Sequence, residues 1–219
     1  MSFDSVSNPE EMLQLLQRAD VSAEMLERLS KNVETMKNRK AKVALVEHPQ
    51  TPRQIALRLL RDLFTLELMQ VTLQTRTTAE VKKLAEQALI GRLEGISQGE
   101  KLALARRGPG RVAGELLLDA QPRVMRMALE NLRLNEAMVV KALLHKNASP
   151  IFVAAVCRHA KWSVRREVRA ALLRNENTPL ARALEIAKAL PASLVSEILD
   201  HSELGSNVKS AIRRECESL

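Results

Sequence analysis

Short apolar stripes of helical period, cut about every 14 residues by a turn signal, dominate this 219-residue chain. The prolines give the ruler. Pro122, Pro150 and Pro179 stand 28 and 29 residues apart, behind Ala120-Gln121, Ala148-Ser149 and Asn177-Thr178. Leu134-Asn135-Glu136 and Trp162-Ser163-Val164 halve those intervals, and Gly108-Pro109-Gly110, Ala192-Ser193-Leu194 and Gly205-Ser206-Asn207 extend the series. Upstream, Thr51-Pro52 and Thr77-Thr78 open similar units. Each interval holds one helix of about ten residues, roughly 15 Å long. A helix that short is unstable alone in water, so its apolar stripe must be buried by neighbours. Aromatic residues make up 2% of the chain, with no Tyr, which disfavours a β sandwich or barrel. The expectation is an all-α protein: an α-solenoid of short helical hairpins with a unit of about 28 residues. It should contain no strand and twelve to fifteen helices, three of them N-terminal and the rest spaced by that half-unit.

Local chemistry supports the parse. Ser149 and Thr178 are expected as N-caps, with Pro150 and Pro179 at the first helical positions, where a missing N–H costs nothing. Phe152, Val153 and Val156 are expected inward, as are Val164, Val168, Ala171 and Leu172, with Arg165, Arg166 and Arg169 opposite them. The following helix should bury Leu180, Leu184 and Ala187. Residues 1–42 read as a helical cap or dimerisation segment and residues 43–219 as the repeat domain. In the first segment, Asn8-Pro9-Glu10-Glu11 signals a helix start, Met12, Leu15 and Leu16 form a stripe, and Ser22 and Asn32 open further helices.

The segments His145–Pro150 and Arg174–Pro179, with Trp162–Leu172 between them, resemble the HEAT-like and leucine-rich repeat variant helical repeats of bacterial proteins. His48-Pro49-Gln50-Thr51-Pro52 followed by Ile55-Ala56-Leu57 matches the same pattern. The resemblance covers residues 43–63 and 101–190. It implies a fold and carries almost nothing about activity. Some leucine-rich repeat variant proteins hold an iron–sulfur centre in a cysteine cluster. The two cysteines here, Cys157 and Cys216, are 59 positions apart and form no such cluster.

Charge is regional. Residues 1–100 carry fourteen basic and fourteen acidic side chains, whereas residues 101–174 carry fifteen basic against five acidic. Candidate partner-binding positions lie in that segment. Arg106, Arg107 and Arg111 surround the Gly108-Pro109-Gly110 turn, which reads either as a phosphate grip or as a helix break. Arg158, Lys161, Arg165, Arg166 and Arg169 surround the sole Trp, Trp162, which is expected to plug the core, with a cation–π contact to a neighbouring Arg as the other reading. Such a surface suits an acidic protein or a nucleic acid.

Catalytic patterns are absent from the sequence: no Walker loop, GxGxxG, GxSxG or HExxH occurs. His145 and His159, 14 apart, are expected at equivalent helix ends, favoured there by the dipole without a metal. Asp119 lacks the aromatic company expected of a helical-repeat DNA glycosylase. Cys157 lies in the longest apolar run, Ile151–Cys157, and is expected to be a buried thiol, with Cys216 exposed. That run is too short to span a bilayer, and the N-terminus lacks a secretory pattern, so a cytoplasmic location is expected. The function expected is a non-catalytic protein-interaction scaffold without cofactor or metal. The alternative is nucleic-acid binding through residues 101–174, which a continuous arginine stripe would favour and scattered arginines would not.

Overall fold

The computed structural model describes the backbone of residues 9–217 and the side chains of residues 10–215. Asn8 and the side chain of Cys216 lie outside that range. Among the described residues the chain forms sixteen α-helices and no strand. It is all-α, as expected, but has more helices than the twelve to fifteen anticipated. The difference arises at Asn32 and Asn38. Both side chains accept a backbone N–H three residues on, from Thr35 and Ala41, so that a five-residue helix stands between two closely spaced caps.

Two compact units are present, Met1–Leu104 and Ala105–Leu219, with the boundary inside one helix. The first contains α1 (Pro9–Gln17), α2 (Ala23–Lys31), α3 (Val33–Lys37), α4 (Arg39–Glu47), α5 (Arg53–Asp62), α6 (Thr65–Leu73) and α7 (Ala79–Arg92); α8 (Gln98–Arg107) carries the boundary. The second contains α9 (Gly110–Leu116), α10 (Pro122–Leu129), α11 (Glu136–Leu143), α12 (Pro150–Arg158), α13 (Arg166–Arg174), α14 (Leu180–Lys188), α15 (Ala192–Asp200) and α16 (Ser206–Glu217). Within each unit, helices touch their next-but-one neighbours as well as adjacent ones. In the first, α4 packs on α6 and α5 on α7; in the second, α9 packs on α11, α11 on α13, α13 on α15, α10 on α12 and α14 on α16.

Helices of eight or nine residues leave almost half of their carbonyls without an intrahelical partner. Side chains from about one repeat further along the chain supply the missing donors. Asn131 Nδ2 donates to the Ala105 and Gly108 carbonyls at 2.8 and 3.2 Å. Asn175 Nδ2 donates to the Leu143 carbonyl at 2.7 Å, and His48 Nε2 meets the Arg18 carbonyl at 2.8 Å. The same three side chains also accept the N–H two residues on, from Arg133, Asn177 and Gln50. Each of the three residues therefore closes its own turn and clasps an earlier one. His145 and His159 make the turn-closing half of this arrangement, accepting from Asn147 and Lys161 at 3.2 Å each, and so do occupy equivalent positions. Arg92, Arg76 and Arg182 likewise reach the carbonyls of Leu63, Leu16 and Cys157.

Several expected contacts are found. Ser22, Ser149 and Asn32 cap their helices, and Pro150 is the first residue of α12. Met12, Leu16, Phe152, Val153, Val156, Cys157, Val168, Ala171, Leu172 and Ala187 are buried. Thr178 differs. Pro179, not Thr178, holds the N-cap position of α14, and the buried Thr178 hydroxyl donates to the Leu172 carbonyl at 2.6 Å. Thr51 does the same to Leu45 at 2.5 Å. In both Thr-Pro turns a carbonyl six residues back takes the hydroxyl, in addition to the backbone N–H three residues on that it already accepts. Val164 also departs from expectation: it is 60% exposed, because α13 starts two residues later, at Arg166, with Arg165 at its cap. Leu180 is 46% exposed, and Ala183 and Ile186 are buried instead, with Ala187 as anticipated.

Replacing Asn175 with Ala strands the Leu143 carbonyl and the Asn177 N–H together. It should cost about 2–3 kcal/mol in denaturant unfolding, against about 1 kcal/mol for Ser149→Ala, whose cap lies at the surface. Equal costs for the two variants would contradict the clasp's role.

Candidate binding groove

The second unit carries a groove between α10 and α12 with a volume of about 1420 Å³. It follows from the pattern of the two helices. In α10, Val124, Met125, Ala128 and Leu129 turn into the core, leaving Arg123 and Arg126, three apart, exposed on the other side. In α12, Phe152, Val153, Val156 and Cys157 go inward, and Ile151, Ala154, Ala155 and Arg158 face away from the core. Small alanine side chains leave the hollow between longer neighbours. Its floor is apolar, from Met127, Ala154, Ala155 and the 54% exposed Ile151. Its lining holds four cations, Arg123, Arg126, Arg158 and Lys161, against one carboxylate, Glu130.

Glu130 Oε1 lies 3.2 Å from His159 Nε2, near enough for attraction but without hydrogen-bond alignment. His159 Nδ1 accepts the Lys161 N–H at 3.2 Å. Arg123, Arg126 and Arg158 form no ion pair among the described residues. Trp162 is the core plug expected of it: it is buried, and its indole N–H donates to the Leu129 carbonyl at 3.0 Å. It also has a cation on its face, but that cation is Lys161 rather than an arginine, with Nζ 4.0 Å from the ring centroid.

The other sequence candidates are dispersed. Arg106 and Arg107 are exposed in the last turn of α8. The turn after them separates α8 from α9: the Gly108 carbonyl accepts from Asn131, and a Cβ on Gly110 would stand 2.2 Å from the Arg133 carbonyl oxygen. Arg111 lines a separate hollow of about 300 Å³ between α9 and α11, with Glu115 and Lys141 paired beside it. Arg165 and Arg166 are exposed at the start of α13. Arg169 is half-buried, and its Nε donates to the Ser163 carbonyl at 2.9 Å. Arg123 and Arg126 are not among the candidates the sequence offers; their spacing of three opposite the Val124/Ala128 stripe is the signal that marks them.

The Cys157 thiol is buried and its pKa is pushed up by that burial, with Arg182 acting in the opposite sense. In the first unit, Glu47 is buried at the C-terminal end of α4, beside a hollow of about 710 Å³. Gln70 Nε2 donates to its carboxylate at 2.9 Å. Burial raises its pKa, and the Gln70 hydrogen bond and the charge of Arg76 only partly oppose this. Among the described residues no group of three His, Cys, Asp or Glu is placed to hold a metal ion, and no helix is long and apolar enough to cross a membrane. No protein-family model, curated protein or solved structure matches the chain.

Glu47 generates a pH prediction. Its folded pKa is raised, so above the ordinary carboxylate range the folded state binds this proton more readily than the unfolded state. Its contribution to stability should therefore fall as pH rises through the window from the unfolded to the folded pKa. Glu47→Gln should flatten that slope and raise the melting temperature at pH 7; an unchanged slope in a pH series of thermal melts would refute it.

Proposed function

We propose that the chain is a non-catalytic interaction module built from HEAT-like helical hairpins, each unit a short α-solenoid, and that the α10–α12 groove binds its protein partner in the cytoplasm. The hydrogen bonds that span 26 to 32 residues, from Asn131, His48 and Asn175, support the repeat reading, as does next-but-one helix packing. One observation carries the binding role. Arg123, Arg126 and Arg158 stand exposed, with no ion pair among the described residues, around an apolar floor. Water-exposed apolar surface and unneutralised like charges are both features that a bound partner covers favourably. The dispersal of the other arginines favours a protein partner over a nucleic acid, which a continuous stripe would suit better.

The test is affinity capture from native lysate, after nuclease treatment, with the wild-type chain and with Arg126→Glu/Arg158→Glu. Proteins retained by the wild type should be lost from the variant. Identical retention by both, or loss of all captured protein on nuclease treatment, would refute the reading.

A further inference from the structure

We propose that the occupant of the α10–α12 groove is an acidic amphipathic helix of a partner protein, about two turns of which lie against the floor. This rests on the interaction reading above and adds the chemistry of what binds.

Three features lead to it. The first is the floor. Ile151, Met127, Ala154 and Ala155 offer apolar surface that only an apolar occupant dehydrates favourably. A phosphate backbone or a plain polyanion would meet the cations and leave this surface unmatched. The second is the backbone. The walls are two helices, α10 and α12, whose main-chain groups pair along the helix axes, with the Leu129 and Cys157 carbonyls at their ends taken by Trp162 and Arg182. They present no ladder of free N–H and C=O groups of the kind an extended peptide needs. An occupant pressed into the groove must satisfy its own backbone, and a helix does so. The third is charge. Arg123 and Arg126 come from one wall, and Arg158 and Lys161 from the end of the other. Acidic residues flanking an apolar stripe would face cations on both sides. Walls of eight and nine residues are about 12–14 Å long, which two turns of helix and part of a third would span.

This chain does not offer such a helix to a second copy of itself through α1, whose first turn carries Glu10 and Glu11. Its Met12 and Leu16 are already buried, and it packs on α4. The occupant is therefore assigned to another protein.

Fluorescence anisotropy on the full chain provides the test. The probe is a labelled peptide of about 16 residues, enough to hold a helix, with leucines at helical spacing flanked by glutamates. Three comparators are a scrambled peptide of equal composition, the same peptide with Gln in place of Glu, and a duplex DNA of about 20 base pairs. The acidic amphipathic peptide should bind at least about tenfold more tightly than either peptide control. Arg126→Glu/Arg158→Glu should weaken it about tenfold or more, and Arg126→Lys/Arg158→Lys much less. Ile151→Asp should also weaken it; an acid in the first turn of α12 is well tolerated by the helix dipole, so the variant keeps its fold, as its melting curve would verify. Arg165→Glu/Arg166→Glu, outside the groove, should leave binding unchanged. Equal binding of the scrambled peptide overturns the proposal, as does tighter, groove-dependent binding of the duplex. Failure of the peptide alongside groove-dependent protein capture overturns this inference and leaves the interaction reading standing.

Discussion

The carbonyls at the ends of short helices are the constraint on which the rest of this molecule depends. Every helix leaves four carbonyls unpaired at its C-terminus. In a helix of nine residues that is nearly half of the backbone acceptors, and in a packed unit many lie away from water, where an unmet polar group costs about 1–3 kcal/mol. The chain meets this demand from outside each helix. Asn131, Asn175 and His48 do so most economically, using one side chain to close a local turn and reach a helix end about one repeat earlier. Burial of stripes such as Val124/Ala128 and Val153/Val156 supplies the driving force. The clasps set which helix end lies against which turn.

The sequence shows the helices, their class and most of their inward faces, because those depend on residues close together along the chain. Ser22, Asn32 and Ser149 cap as their positions indicate, and Phe152 and Val156 are buried as their spacing requires. Where the reading fails, a distant or competing partner has taken the group. The Thr178 hydroxyl has two acceptable uses, capping ahead or donating behind, and sequence alone does not rank them. Val164 falls in the apolar register, but it lies before the Arg165 cap of α13, in the turn whose Trp162 indole bonds the distant Leu129 carbonyl. The helix count fails because Asn38 adds a cap so soon after Asn32.

The site shows the same division. A basic segment is visible in composition, yet composition does not say which arginines share a surface. Arg158 and Lys161 are joined by Arg123 and Arg126, which precede them by more than 30 positions, because α10 and α12 pack side by side. Arg111 and Arg169, equally prominent in the sequence, lie elsewhere: Arg111 lines the α9–α11 hollow and Arg169 donates to the Ser163 carbonyl. Groove depth, too, depends on alanines, whose contribution is the volume they leave empty.

Trp162 is the sole Trp in a chain without Tyr, and it sits in the core of the second unit beneath Lys161, a residue of the groove lining. Intrinsic fluorescence from this protein is therefore single-site: its emission wavelength reports unfolding of the second unit alone. The ammonium over the ring extends that sensitivity to the groove, since any occupant that draws Lys161 away alters the field on the indole without disturbing its burial.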